Sequence, residues 1–164
     1  MTDLWVADSG IRQLHAHFVD AARRKDARAA ADCFVEDGEW KIAGLHMRGR
    51  AEIAATFDRL LGACEHVQII PGLPVLEVGD GTASGRIPMT EFARMLDGTF
   101  AMTLGVYYDR YVDEGARWRF RWRHFGLRYR GPADLSAPFV DSPDYGPPPG
   151  MPGPDEPTFT RRKQ

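Results

Sequence analysis

Hydrophobic positions recur every three or four residues through the first third of the chain, which favours amphipathic helices. The first such stripe consists of Ile11, Leu14, Phe18, Ala21 and Ala22. It predicts a helix that begins at a cap on Asp8 or Ser9 and ends near Lys25. A short alanine-rich helix over residues 26–34 and a third helix over residues 50–64 follow. The chain is therefore expected to begin with three helices.

The pattern changes to period-two alternation after residue 65, and this alternation predicts β-strands. A short strand over residues 39–43 already precedes the third helix, and residues 44–49 are expected to form a loop or a tight hairpin. The later strands are predicted at residues 66–70, 75–78, 82–95, 99–111 and 118–129. Turn residues at Gly79–Gly81 and Asp113–Ala116 join them into an antiparallel meander.

The last predicted strand alternates aromatic with basic residues. Its first face carries Trp118, Phe120, Trp122 and His124, and its second face carries Arg119, Arg121 and Arg123. Pairing across the Asp113–Ala116 turn would place Tyr111 near Trp118, Tyr107 near Trp122 and Gly105 near His124. A bend at Gly105 and Gly126 is expected to exchange the faces beyond that point.

This order of elements predicts an α+β architecture in which a curled antiparallel sheet wraps around the N-terminal helices and leaves an apolar pocket. Residues 1–135 are expected to form this domain. Residues 136–164 are expected to form a proline-rich C-terminal arm, because nine of the 12 prolines follow Gly131. Phe139 and Tyr145 could hold its first part in place, so partial order is expected up to about Tyr145.

Composition and charge argue against several classes of function. Hydrophobic residues make up 43% of the chain, charged residues 27%, and the net charge is -2. These values give no support for nucleic-acid or membrane partners, and no apolar run approaches the roughly 20 residues of a membrane span. The N-terminus lacks the pattern of a signal peptide, and Cys33 and Cys64 form no metal motif. The sequence therefore predicts a cytoplasmic protein without a metal site.

Five short segments in a fixed order make the chain resemble SnoaL-like proteins of the nuclear transport factor 2-like superfamily. They are Phe34–Trp40, Gly49–Ile53, Val78–Arg86, Tyr108–Tyr111 and Arg117–Phe120. The resemblance implies a cone-shaped α+β fold over about residues 8–135. The superfamily includes scytalone dehydratase, a bile-acid dehydratase, hexachlorocyclohexane dehydrochlorinase, ketosteroid isomerase and polyketide cyclases, and also members without a catalytic role. Function therefore has to be argued from the site.

The resemblance also implies where catalytic residues would stand. In the dehydratase-like members, an aspartate on the first helix orients a histidine base on the strand after the third helix. Those positions correspond to Arg23 and to a residue near Ile69, so the dyad is missing at the expected places. The tyrosine and the base of the isomerase pattern correspond to Phe18 and Ile42. The dehydrochlorinase pattern retains an arginine, Arg123, which would stabilise developing negative charge.

Most of the remaining candidates for chemistry lie on the last two strands. His124 could be a general base in an apolar pocket, or a hydrogen-bonded core histidine. Arg23 or Arg123 could stabilise an anion, although Arg23 could equally be a surface charge. Tyr107 could position a substrate oxygen and Asp109 could orient a histidine, while backbone hydrogen bonds and a salt bridge are their structural alternatives.

A second group of residues is predicted to bind the substrate itself: Phe18, Trp40, His66, Met102 and Trp122. Glu91 on the long strand is a further possible acid or base, with a solvated strand edge as the simpler explanation.

These residues favour a lyase or isomerase that needs no cofactor and acts by proton abstraction on a hydrophobic aromatic or polycyclic small molecule. Dehydration, retro-aldol cleavage and other eliminations belong to this class. The alternative is a non-catalytic small-molecule-binding or assembly module of the same fold. A homo-oligomer, either a dimer or a trimer, is expected in both cases.

Overall fold

The computed structural model describes residues 2–139, in which three helices pack against one curled seven-stranded sheet. The helices are α1 (Leu4–Arg23), α2 (Ala27–Ala31) and α3 (Arg50–Gly62). The strands are β1 (Phe34–Ile42), β2 (Leu45–Arg48), β3 (Cys64–Pro71), β4 (Val75–Val78), β5 (Thr82–Met95), β6 (Phe100–Asp113) and β7 (Trp118–Gly131). This architecture confirms the predicted α+β fold with a curled sheet around N-terminal helices.

Local sequence explains where the helices begin. α1 starts before the predicted cap because the side chain of Asp3 accepts a hydrogen bond from the Trp5 backbone N–H at 2.7 Å. α2 starts after Asp26, whose carboxylate accepts from the Ala29 backbone N–H at 2.9 Å. Both carboxylates satisfy donors that the first helical turn leaves free.

The strands follow the order β2-β1-β7-β6-β5-β3, and β4 also pairs with β5. All pairs are antiparallel except β1 with β7, which run parallel. β1 begins at Phe34, five residues before the predicted strand over residues 39–43, so the turn-forming residues 35–38 also lie inside the strand. Their pairing with β7 is irregular between Phe34 and Glu39, and this irregularity accommodates the turn-forming sequence.

The predicted register between the last two strands is wrong. Trp118 pairs with Asp113, and Phe120 pairs with Tyr111. The register then shifts between Tyr111 and Arg110, so that Arg110 faces Trp122. A β-bulge of this kind adds one residue to β7 and exchanges the faces of the residues that follow, as far as the next register shift.

The bulge turns Arg123 toward the helices and His124 away from them. Arg123 pairs with Asp109 on β6 and with Trp40 on β1, whereas His124 pairs with Tyr108 and Lys41. A second shift follows between Gly105 and Leu104, close to the predicted bend. The sequence predicted that the side chains of β7 exchange faces after His124. In the structure they exchange faces before Trp122.

The core lies between α1, α3 and the concave face of the sheet. Phe18 of α1 stacks on Phe57 of α3, with ring centroids 5.7 Å apart. The same ring meets Trp40 edge-on at 5.7 Å and Phe120 at 5.8 Å. This aromatic cluster fixes the position of α1 over β1 and β7.

No helix among residues 2–139 is long and apolar enough to cross a membrane. The predicted arm beyond Phe139, including Tyr145, lies outside the described residues.

Candidate functional site

A buried ion pair occupies the concave face of the sheet below α1. The Nε and Nη2 groups of Arg123 donate to the two carboxylate oxygens of Asp109 at 2.8 and 3.1 Å. Asp109 is 0% and Arg123 1% exposed. The guanidinium carbon also lies over the rings of Tyr107, Phe120 and Phe18, at 3.6, 4.0 and 4.7 Å from their centroids. Bidentate pairing and stacking together hold the arginine in one orientation.

His15 of α1 and Tyr111 of β6 extend this pair into a hydrogen-bonded network. His15 Nε2 lies 3.0 Å from the Tyr111 hydroxyl, which donates to Asp109 at 3.1 Å. His15 Nδ1 lies 3.4 Å from Nη2 of Arg123. Because a guanidinium only donates, Nδ1 accepts and the imidazole proton is assigned to Nε2. Both ring nitrogens of His15 are therefore engaged within the protein.

Burial determines how this network ionises. It lowers the pKa of His15 well below its usual range, and the positive charge of Arg123 acts in the same direction. Burial also raises the pKa of Asp109, which Arg123 opposes, and raises the pKa of Tyr111 well above its usual value. The state that fits these shifts at neutral pH is a carboxylate–guanidinium pair beside a neutral imidazole.

Two buried donors next to the ion pair have no acceptor among the described residues. They are Nη1 of Arg123 and Nε1 of Trp40. Their residues are neighbours across β1 and β7, on the face toward the helices. The Trp40 indole is close enough to the Tyr107 hydroxyl to influence its pKa, but its N–H meets no acceptor with hydrogen-bond geometry. An unpaired buried donor is costly, so both groups point to an acceptor that residues 2–139 do not supply.

Glu91 lies on the same concave face, further along the sheet. It pairs with Ile69 of β3 on one side and with Thr103 of β6 on the other. Thr103 pairs in turn with Arg130 of β7, whose guanidinium donates to the Thr103 hydroxyl at 3.3 Å. Burial raises the pKa of Glu91, and Arg130 opposes the rise.

Five of the residues predicted from the sequence meet around the buried ion pair. They are Phe18, Trp40, Tyr107, Asp109 and Arg123. Phe18 comes from the helical stripe, while the other four come from adjacent strands. Their side chains combine apolar rings with one charged pair and two free donors.

The other predicted residues lie elsewhere. The side chain of Arg23 is 58% exposed and pairs with Asp20 at 2.8 Å. The side chain of His66 is 78% exposed, and it shares a shallow surface depression with Arg23. Met102 is buried but lies outside the main core cluster.

His124 and Trp122 lie together on the sheet face that points away from α1. Their rings meet edge-on at 5.6 Å, and Lys41 lies 5.6 Å above the Trp122 ring. Burial lowers the pKa of His124, and the charge of Lys41 lowers it further. His124 is thus separated from Arg123 by the sheet itself.

Sequence reasoning missed His15 and Tyr111 as members of the network. His15 follows Ile11 by four residues and precedes Phe18 by three, which places it on the buried stripe of α1. That spacing was visible in the sequence. Its partners were not, because they depend on the bulge in β7.

Other features of residues 2–139 lie away from this cluster. An open groove of about 690 Å³ lies between the start of α1 and the β6–β7 turn, and Trp5, Gly10 and Trp118 are among its lining residues. The described part of the chain holds no group of three or more histidine, cysteine or acidic residues that could bind a metal ion.

Comparison with known proteins gives a family and a set of related folds. The profile of a family described as a SnoaL-like domain matches residues 7–124. No curated protein matches the chain.

Solved structures share the fold at low sequence identity. A nuclear transport factor 2-like protein with a cystatin-like fold from Novosphingobium aromaticivorans is 28% identical, with a TM-score of 0.65 over 82% of this chain and 96% of that chain. A protein provisionally assigned as a scytalone dehydratase, from the same organism, is 16% identical with a TM-score of 0.74, covering 87% and 96% of the two chains. The type 3 hexachlorocyclohexane dehydrochlorinase of Novosphingobium barchaimii is 15% identical with a TM-score of 0.71, covering 83% and 95%.

Proposed function

We propose that this chain, which belongs to the SnoaL-like domain family, is a lyase or isomerase that needs no cofactor. Its substrate is a hydrophobic aromatic or polycyclic small molecule that carries a carbonyl group. The reaction begins with removal of a proton next to that carbonyl. Dehydration, another elimination or migration of a double bond then completes it.

The observation that carries this proposal is the pair of unpartnered donors on Arg123 and Trp40. A carbonyl oxygen that binds between them accepts two hydrogen bonds, one of them from a cation. When the neighbouring proton is removed, negative charge develops on that oxygen and both hydrogen bonds strengthen. The donors thus stabilise an enolate more than the starting ketone, and this difference is what accelerates the reaction.

The rest of the network keeps the Arg123 donor in place. Asp109 fixes two of the three nitrogens of the guanidinium, and His15 lies against one of them. The third nitrogen is left for the ligand. Because this orientation is set before any ligand binds, little reorganisation is needed during the reaction.

Aromatic side chains supply the apolar part of the site. Phe18 and Trp40 meet at 5.7 Å and would contact the rings of a substrate. Tyr107 stacks under Arg123, and its hydroxyl would hydrogen bond a substrate oxygen. Arg23 has no part in this proposal, because its guanidinium is exposed and paired with Asp20.

The fold comparisons support the reaction class. Two of the neighbouring structures carry the names of a dehydratase and a dehydrochlorinase, both of which denote eliminations. They support the proposed chemistry without naming a substrate for this chain.

The test is exchange of carbonyl-adjacent protons for deuterium. The full-length protein is incubated in D₂O with α-tetralone or acetylnaphthalene, and proton NMR follows the loss of the α-proton signal. Trp40→Phe removes one donor and keeps a ring, so we expect about a 10²-fold slower exchange. Trp122→Phe is the matched control, since Trp122 lies on the opposite sheet face, and it should exchange at the wild-type rate. Equal rates for wild type and Trp40→Phe would overturn the proposed role of the donors.

A non-catalytic binding module is the second candidate. It is favoured by the pairing of Arg23 with Asp20 and by the saturation of both His15 nitrogens within the protein. In this case the same ketones would bind without exchange. Binding measured by tryptophan fluorescence, together with exchange no faster than in buffer, would identify this function.

A further inference from the structure

The convex face of the sheet, which points away from the helices, is covered around His124. α1 and α3 pack on the concave face, where their aromatic residues meet the strands. His124 lies on the convex face, and it is nevertheless only 5% exposed. Pro88 lies on the same face of another inner strand, β5, and is exposed. The burial of His124 therefore points to a segment that lies over β6 and β7 on this side.

The described end of the chain already lies on the convex face. Tyr129 is fully buried, yet it lies outside the core cluster of the concave face. Its hydroxyl donates to the Pro132 carbonyl oxygen at 2.6 Å and accepts from the Ala137 backbone N–H at 3.3 Å. The ring of Phe139 packs on the ring of Tyr129, with centroids 4.8 Å apart. After β7 the chain thus folds back over the convex face, and Phe139 is its last described residue.

The distance from Phe139 to His124 is short enough for a few further residues to cross. Phe139 borders a surface depression together with Leu104 of β6. Leu104 is four residues from Tyr108, which pairs with His124, and this separation is about 13 Å of extended strand. The six residues that follow Phe139 span up to about 20 Å when extended. Tyr145, the last of these six, can therefore reach the His124 ring.

The charges of the convex face and of residues 140–145 are complementary. Arg86 is the partner of Tyr108 in β5, and Arg110 follows Tyr108 by two residues in β6, so both lie on the face of His124. Residues 140–145 contain two carboxylates, Asp141 and Asp144, and no basic residue. Opposite charges on two facing surfaces fix how one lies on the other.

The aromatic and proline residues of the segment fit the same placement. The rings of His124 and Trp122 meet edge-on at 5.6 Å and offer a surface on which a further ring can pack. Tyr145 supplies such a ring. Pro143 favours an extended backbone at Ser142 before it, and an extended backbone is what the distance requires.

We propose that residues 140–145 lie across the convex face of their own molecule. The Tyr145 ring packs on His124, and the two carboxylates of the segment lie beside the two arginines. His124 is then part of a surface that binds the chain's own C-terminal segment. This binding surface lies on the side of the sheet opposite Arg123, so it is independent of the proposed function.

Carbethoxylation of histidines by diethyl pyrocarbonate tests whether Tyr145 covers His124. The full-length protein is treated, and mass spectrometry of its peptides gives a rate for each histidine. His124 should react slowly in wild type, whereas His66, whose side chain is 78% exposed, should react fast. Tyr145→Ser should raise the rate of His124 about tenfold or more, because the segment opens more often. The rate of His66 should not change.

Phe159→Ser is the matched control for this experiment. It removes an aromatic ring from the same tail, 14 residues beyond Tyr145, and His124 should react in it as in wild type. Thermal unfolding checks that both variants are folded. An equal rate of His124 in Tyr145→Ser and in wild type would overturn the proposal.

Disulfide trapping shows where the segment lies. Gly146→Cys keeps Tyr145 and is combined either with Lys41→Cys, beside the Trp122 ring, or with Ile70→Cys. Ile70 is 49% exposed and borders the same depression as Phe139, so a tether without a binding surface would favour Ile70→Cys. We expect the pair with Lys41→Cys to close about tenfold faster instead, because binding raises its effective concentration.

The size of the trapped product identifies which molecule supplies the segment. A bond within one chain leaves a monomer on a non-reducing gel and supports the proposal. A covalent dimer would mean that the segment of a second copy covers the face, and this would overturn it. Faster closure with Ile70→Cys would overturn it as well.

Discussion

His15 is neutral because it is buried against Arg123, and this has a consequence for stability. Its pKa in the folded protein lies well below the value of about 6.5 expected in the unfolded chain. Between those two values the unfolded state binds more protons, so stability falls as the pH falls. His15 is therefore expected to contribute to acid sensitivity below about pH 6.5.

Replacement of His15 tests this expectation. Urea unfolding at pH 7 and pH 5 gives the change in unfolding free energy for each protein. Wild type should lose stability on acidification, with a contribution from His15 of up to about 1.4 kcal/mol per pH unit. His15→Gln and His15→Phe should both reduce that loss, because neither side chain titrates, even if their stabilities at pH 7 differ. A loss in either variant as large as in wild type would contradict the assigned cause.

The sequence predicted the role of a residue correctly where that role depends only on the residue's own place in a helix or strand. Phe18 belongs to a helical stripe, and Trp40 and Tyr107 were recognised as aromatic candidates. The contact between Arg123 and Asp109 was not predicted, because it joins two strands whose register the sequence did not reveal. The stacking of Phe18, Tyr107 and Phe120 on the guanidinium follows from the same register.

The β6–β7 pair shows why elements are easier to predict than their alignment. Alternation predicted both strands, and β7 begins at Trp118 as expected. The bulge adds a single residue between Phe120 and Trp122, where either aromatic residue fits a buried face equally well. Period-two patterning carries no information about such an insertion, so the predicted faces were exchanged for Arg123 and His124.

Gly105 marks the second place where the two strands shift. A Cβ atom at this position would lie 2.2 and 2.4 Å from ring carbons of Phe125 and 2.6 Å from the Gly126 carbonyl oxygen. The Phe125 ring thus lies directly over the glycine, and no other residue leaves it that space.

Gly105→Ala should therefore destabilise the fold by about 1–3 kcal/mol, as overpacking does in other cores. Urea unfolding measures the difference. Gly62→Ala is a suitable control, since nothing lies within 4 Å of a Cβ atom there. Comparable stability of the two variants would show that the Phe125 ring moves aside at little cost.

At the scale of the molecule, the sheet connects distant parts of the chain. β1 near the N-terminus pairs in parallel with β7, and β7 lies between β1 and β6. β2, β3 and β4 each pair with one strand only, and β2 and β4 are the shortest strands. The centre of the sheet is therefore held on both sides, while these strands are held on one.

Amide hydrogen exchange followed by NMR should reflect this arrangement. We expect the slowest exchange in β6 and β7 and the fastest strand exchange in β2 and β4, because local opening requires fewer contacts to be broken at an edge. Equal protection of β4 and β6 would mean that the sheet opens only as a whole.

The overall fold was predicted well because many weak patterns agree on it. Three predicted helices followed by alternating strands led to the α+β cone, and the family profile over residues 7–124 agrees with it. The parallel closure of β1 on β7 was not predicted, since the two strands are about 80 residues apart and share no local signal. The predicted oligomer, the absence of a cofactor and the boundary near residue 135 stay predictions.

The three aromatic rings around Arg123 should also shift the NMR signals of its guanidinium protons. Protons held over an aromatic face are shielded by its ring current, and this guanidinium lies within 4.7 Å of three ring centroids. Its N–H resonances should stand upfield of those of the exposed arginines and exchange slowly with water. A molecule that enters the cone and bonds to Nη1 would move those resonances. The protein can thus report the occupancy of its interior before any substrate is known.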